Sequence, residues 1–235
     1  MLNGRPLTAV IPVRGGSRGI PGKNLYRLRG MTLLERTILR ATRCARVDRT
    51  IVSTDCPEMH AVAQRYGVAA PALRPAHLAT DGARSVDVVA DLVETAEIPA
   101  GWIVLLQVTS PLCTTADLDA MLDAVERAPE VDAAVSVQLY QGPPPGKLHR
   151  IENDRLQPLF GTATDRPRQA FPDLYAFNGA FFLVDRDVLL EGGTFVPPRT
   201  LPFVMPPERS ANLDTPMDLE IMEAMLASGR WTVED

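Results

Sequence analysis

Directly after the apolar run Leu7 to Val13 comes Arg14-Gly15-Gly16-Ser17-Arg18-Gly19-Ile20-Pro21-Gly22-Lys23-Asn24, which holds four glycines, two arginines and a lysine. A short, largely apolar run that feeds a glycine-rich loop suits a strand covered on both faces, the setting of a parallel α/β sheet. The loop suits a polyphosphate. Its glycines let backbone N–H groups approach oxygens, and its fixed cations neutralise their charge. It is not a Walker A loop: the glycine-to-lysine spacing differs, and Asn24 stands where Ser or Thr would hold magnesium. Nor is it Gly-x-Gly-x-x-Gly.

The rest of the chain alternates in the same manner. Helical spacing over Met31 to Cys44 places Leu34, Ile38 and Ala41 on one face, followed by a strand at Thr50 to Ser53 and a helix at Pro57 to Tyr66. Ser85 to Ala96 reads as a helix, Trp102 to Val108 as a strand, Ala116 to Arg127 as a helix and Ala133 to Leu139 as a strand. This rhythm predicts an α/β fold, a Rossmann-like three-layer sandwich with a mostly parallel sheet, in one domain over 1–235. It breaks at Gly142-Pro143-Pro144-Pro145-Gly146, so about 141–174 is expected to be an arm or β-excursion packed on a second subunit. The chain should return as a strand at Asn178 to Val184, cross a proline-rich stretch at Val196 to Pro207, and end in a helix from Pro216 to Ala227.

A net charge of -5 and a pI near 5.3 provide no basic field for polymeric nucleic acid. No run reaches the length of a membrane span, and the start of the chain lacks a secretory pattern, so a cytoplasmic protein without a membrane partner is expected. Cys44, Cys56 and Cys113 are odd in number and outside any Cys-x-x-Cys pattern, which argues against a disulfide framework or a zinc site. His60, His77 and His149 are equally scattered.

The loop Ile11 to Asn24 resembles the signature of the acylneuraminate (sialic acid) cytidylyltransferases. The likeness continues through Ser53-Thr54-Asp55, Arg74-Pro75 with Leu78-Ala79 and Asp81, Leu105 to Leu112, Arg168-Gln169, Asn178-Gly179-Ala180 and Asn212-Leu213-Asp214. The resemblance implies a nucleotidyltransferase fold with a dimerisation arm, and transfer of CMP from CTP to a small acidic acceptor with release of pyrophosphate. It implies that Arg14 and Lys23 face the triphosphate, with Gly15, Gly16, Ser17 and Asn24 completing the cradle and Arg74 and Ser85 contacting the nucleotide. It further assigns Gln107, Lys147, Arg168, Asn178 and Phe182 to the acceptor, the arm's basic residues arriving across a homodimer. Asp214 and Asn212 would hold Mg2+, with Asp214, Arg14 and Lys23 as the catalytic set.

Locally, each residue also has a plainer reading. An arginine before proline, a serine opening a helix and a strand-end glutamine are ordinary features. Thr215-Pro216 with Asp218 reads as a helix start, which makes Asp218 structural. The chain departs from the family pattern at Asn212, where an aspartate is usual, at Cys113, where arginine often follows Ser-Pro-Leu, and at Phe182, where tyrosine is frequent. Those departures leave open the acceptor. A nonulosonic acid such as a sialic, legionaminic or pseudaminic acid stands first, a small phosphonate or phosphonocarboxylate second, and a non-catalytic CTP-binding protein third.

Overall fold

The computed structural model describes residues 1–17, 19–128, 130–160, 167, 169 and 171–234. A six-stranded sheet forms its centre, built from β1 (Leu7–Pro12), β4 (Arg49–Ser53), β5 (Trp102–Leu106), β6 (Ala133–Leu139), β9 (Tyr175–Asp185) and β10 (Thr200–Val204) in the spatial order β10-β6-β9-β5-β1-β4. β4 and β5 flank β1 in parallel, and β10 runs parallel to β6. β9 alone is antiparallel to the rest, inserted between β5 and β6.

The two faces of each strand enter different layers. Leu7, Ala9 and Ile11 of β1 and Trp102, Val104 and Leu106 of β5 join the larger core. That core is covered by α1 (Leu33–Arg43), α2 (Pro57–Arg65), α4 (Thr115–Glu126) and α6 (Pro216–Ala227). Val10, Ile103 and Leu105 point the other way, against α3 (Ser85–Thr95) and α5 (Arg186–Gly192). Burial on both faces explains the largely apolar runs, and the three-layer α/β expectation is met.

The helix starts are specified locally. Thr32, Thr114 and Thr215 each accept a hydrogen bond from the amide three residues on, and the acidic residue there reaches back, closing three capping boxes. Thr32 therefore holds the start of α1 at Leu33, beyond the expected Met31. Met31–Thr32 is instead β3, paired with β2 (Arg27–Leu28) in a small hairpin that the sequence pattern does not reveal.

After Leu139 the chain leaves the sheet and returns at Tyr175, opposite Leu139. Within the excursion, β7 (His149–Glu152) and β8 (Arg155–Pro158) form an antiparallel hairpin. Asn153 and Asp154 turn it, both at positive φ, as a two-residue hairpin turn requires. Two further elements were not expected. α5 opens on the side chain of Asp185 and closes on Gly193, and β10 runs through the proline-rich stretch. β10 tolerates Pro202 because it is an edge strand with one neighbour.

Candidate active site

The chain passes from β1 to β4 on one side and then back to β5 on the other, so the strand order switches direction about β1. In open α/β sheets the crevice beyond the carboxyl ends of the strands at such a point is where ligands bind. Here a cleft of about 250 Å³ occupies it, and its walls include Arg14, Ser17, Lys23, Asn24, Arg74, Ser85 and Gln107. Seven residues singled out from sequence, spread over more than ninety positions, thus converge on one space.

The glycine-rich loop is held from several sides. The buried Asn24 side chain donates to the Arg14 carbonyl at 2.9 Å, folding the loop across its own base. Lys23 Nζ donates to the Leu213 carbonyl at 2.6 Å and lies 3.5 Å from Asp214 Oδ1. Gly19 abuts the same segment: a Cβ there would fall 2.0 Å from the Asp214 carbonyl oxygen. The Gly15 N–H donates to Asp55 Oδ1 at 2.9 Å. That bond anchors the loop to the segment just after β4. Gly16 leaves open space beside it but is not in the cleft wall.

Arg74 ties two strand ends together. Its Nη2 donates to the carbonyls of Val13 and Ser53, and its Nε to Ser53 Oγ at 3.0 Å. Burial lowers its pKa, opposed in part by the Asp55 carboxylate. Next to it, α3 opens toward the cleft at Ser85, with Arg84 as an N-cap that makes no side-chain capping bond. The Asp87 amide already donates to the Arg84 carbonyl, which leaves the amides ahead of it in that turn without intrahelical partners and suited to negative charge. Arg14 is paired with Asp81, also in the cleft wall, at 2.5 Å.

Gln107, in the same cleft wall, directly follows β5, in which Leu105 pairs with Phe182 across the β5–β9 ladder. Phe182 lies outside the cleft wall proper, edge-on to Phe177 and Phe195 with ring centroids 5.9 and 6.1 Å away. Gly179, at φ +76°, sits where a Cβ would come 3.2 Å from Gln107 Oε1 and 3.8 Å from Asn212 Nδ2. Its missing side chain leaves a polar niche there.

Asn178 is a correction. It is 2 % exposed, its Oδ1 accepts from Ser136 Oγ at 2.6 Å, and its Nδ2 donates to Ser210 Oγ at 3.0 Å. With its polar atoms engaged in the interior, it stitches the β6–β9 irregularity to the segment before Asn212 and does not present itself to an acceptor. Lys147 sits in a short helical turn of the arm, outside the cleft wall of its own chain. Arg168 lies outside the described residues.

Asn212 also differs from expectation. Its Nδ2 donates to Asp214 Oδ2 at 2.7 Å, so it presents an N–H, not an oxygen, to that carboxylate. Its Oδ1 is buried and without a partner among the described residues. The Asp214 side chain is 64 % exposed. No group of three His, Cys, Asp or Glu suited to a metal converges among the described residues. Asp218 behaves as a helix cap: its Oδ2 accepts from the Asp214 and Thr215 amides at 3.0 and 2.7 Å. Burial by itself would raise its pKa, but the hydrogen bonds from Thr215 and Asp214 outweigh that and hold the carboxyl below its usual range.

Sequence reasoning assigned no role to Asp81, Asp55, Gly19 or Thr109. Asp81 and Asp55 stood in quoted motifs, but their partners are distant in sequence. Thr109 lines the cleft, with a buried hydroxyl that has no partner among the described residues. Cys113 is wholly buried, its thiol donating to the Ser110 carbonyl at 3.0 Å and pushed up to about 11 by desolvation.

Three similarities bear on this arrangement. The chain is 28% identical over 240 residues to the CMP-N,N'-diacetyllegionaminic acid synthase of Legionella pneumophila, spanning 94% of this chain and 96% of that protein. It is 29% identical over 208 residues to the N-acylneuraminate cytidylyltransferase of Streptococcus agalactiae serotype V, spanning 88% of this chain but 50% of that protein. In fold it is similar to a CMP:2-keto-3-deoxy-manno-octonic acid synthetase solved in complex with CTP, at a TM-score of 0.70 and 19% identity over 95% of this chain and 99% of that one. A family model described as Cytidylyltransferase matches residues 8–144, more than half of the chain and all of the phosphate loop, Arg74, Ser85 and Gln107. The chain belongs to the cytidylyltransferase family and is a nucleotidyltransferase enzyme.

Proposed function

We propose that the enzyme transfers CMP from CTP to the anomeric hydroxyl of a nonulosonic, sialic-acid-like sugar acid. The observation that carries this reading is the single cleft whose walls bring Arg14 and Lys23 together with Gln107, beside the Gly179 niche. An acceptor oxygen held beside Gln107 forms a bond to the α-phosphorus. The bond from that phosphorus to the departing pyrophosphate breaks, and the acceptor hydroxyl gives up its proton to solvent. Arg14 and Lys23 stabilise the charge gathering on the leaving group, so positioning and electrostatics supply most of the rate. Relatives named for legionaminic and neuraminic acids support a sugar-acid acceptor, and the phosphonate alternative draws no support from them.

The residues beside the loop fit a divalent cation. Asp214 offers an exposed carboxylate next to the phosphate end, and Asn212 Oδ1 is an orphaned oxygen that one rotation of its amide would turn toward the same side. Hard oxygen donors of this kind suit Mg2+, with the nucleotide's phosphates able to complete the set. When bound, magnesium would neutralise triphosphate charge. Asp214 holds its place through its N–H to Asp218 and through the Asn212 amide.

A homodimer is the second part of the reading. The arm carries Ile151 at 75% and Leu156 at 68% exposure, while Phe160 and Phe177 are also exposed at the arm and the start of β9. An apolar surface of this kind suits an interaction site, and a two-fold pairing would bring Lys147 of the arm toward a neighbouring cleft. The test of function is pyrophosphate release with CTP and magnesium across a panel of nonulosonic acids and small phosphonates. Release with a sugar acid, lost in Asp214→Ala, is expected. Release only with a phosphonate would overturn the acceptor, and CTP binding with no release for any acceptor would favour a regulatory protein.

A further inference from the structure

We infer that Asp81 is a positioning residue that competes with pyrophosphate for Arg14 and thereby drives product release. The inference rests on the reading of the cleft as a CTP site and goes beyond it. Arg14 Nη2 and Asp81 Oδ1 are 2.5 Å apart, both residues line the cleft, and both side chains are about one-third exposed. They come from different segments of the chain. Arg14 comes from the loop after β1. Asp81 comes from the segment between the short helical turn Ala76–Leu78 and α3. Asp81 does not cap α3, whose N-cap is Arg84. Next to it, a Cβ on Gly82 would meet nothing within 4 Å, so open space adjoins the residue that follows Asp81.

A carboxylate in the wall of a polyanion site opposes binding twice: it occupies the N–H groups of the cation, and it repels the incoming charge. Being tethered, it also has a high effective concentration at Arg14, so a weakly held anion loses the competition. CTP can win because its phosphates are covalently joined to a nucleoside held elsewhere in the cleft. Once the bond at the α-phosphorus breaks, pyrophosphate loses that tether and keeps only the contacts its own phosphates make. Asp81 then retakes Arg14, and the pyrophosphate leaves. Because the pair is partly exposed, the effect is moderate and screened by salt.

The experiment measures pyrophosphate and CTP affinities by calorimetry, together with product inhibition by pyrophosphate, for the wild type, Asp81→Asn and Asp81→Glu. Asp81→Ser replaces the first variant if it does not fold. Asp81→Asn should bind pyrophosphate about three- to fivefold more tightly. It should also show stronger product inhibition and a kcat that falls more than the KM for CTP, while Asp81→Glu restores wild-type behaviour. The gain should shrink at high salt. Unchanged or weaker pyrophosphate binding, with CTP binding retained, would overturn the inference and leave the cytidylyl-transfer reading intact. A wild type that binds neither CTP nor pyrophosphate would overturn both.

Discussion

Gly19 and Asp214 meet backbone to backbone, close enough that a Cβ on Gly19 would lie 2.0 Å from the Asp214 carbonyl oxygen. Lys23 closes the same contact through its bond to the Leu213 carbonyl. The loop cations and the Asp214 carboxylate are therefore one mechanical unit, although almost two hundred residues separate them in sequence. Gly19→Ala must push the loop away from Asp214, because carbon and oxygen cannot share that space. A displacement of about 1 Å at a reacting centre costs on the order of a hundredfold in rate. Steady-state kinetics on Gly19→Ala should show a fall of that size in kcat/KM, and an unaltered value would mean that the contact is dispensable.

Arg74 makes a separate prediction because it serves structure and site together. Its guanidinium bonds the Val13 and Ser53 carbonyls and Ser53 Oγ, a planar fork that a lysine cannot reproduce. Arg74→Lys takes a donor from the Val13 carbonyl and from Ser53 Oγ, while the Ser53 carbonyl keeps the Val13 N–H, at a cost of about 1–3 kcal/mol. Thermal unfolding should show a clear drop in midpoint, together with a raised KM for CTP. A variant as stable as the wild type would argue that Arg74 acts on the nucleotide alone.

Features with a short-range cause were legible in the sequence. β1 and its loop announced themselves by a largely apolar run followed by glycines and cations, and α6 by Thr215-Pro216 with Asp218 completing the box. Features set by distant partners were not. Asn178 looked like a ligand for an acceptor, because nothing nearby shows that Ser136 and Ser210, 42 and 32 residues away, take up its side chain. Asp81 could not be matched to Arg14 for the same reason. β10 was hidden by Pro202, since only the finished sheet reveals that this strand lies at an edge, where a missing N–H is tolerated. α5 was too short at seven residues to carry a periodic pattern.

Asp218 gives a pH-dependent prediction. Its folded pKa is held below the unfolded value, so its stabilisation is fully present above about pH 4 and is lost as pH falls through the lowered folded value. Asp218→Ala should therefore cost about 1 kcal/mol near neutrality, the usual size of a lost cap. The gap from the wild type should narrow as pH drops toward 3 in urea unfolding. The Asp214 amide also loses its acceptor, so activity should fall more than stability. A gap independent of pH would mean that the carboxylate's charge is not what stabilises the turn.

The arm separates a structural role for its apolar residues from an interfacial one. Ile151 and Leu156 face each other across the β7–β8 hairpin and are mostly exposed, so they bury little within their own chain. Replacing both with aspartate should leave the melting of an isolated chain nearly unchanged, since exposed substitutions fall within about 0.5 kcal/mol. In a dimer, the same change puts unpaired charge into an apolar contact, where desolvation opposes assembly. Light scattering should then report the wild type at twice the chain mass and the double variant at the chain mass. Activity follows the same logic: if Lys147 and Arg168 serve a neighbouring cleft, the variant should lose affinity for the acceptor while keeping its affinity for CTP, whose cradle lies within one chain. A monomeric wild type with full activity would remove the arm from the reaction altogether.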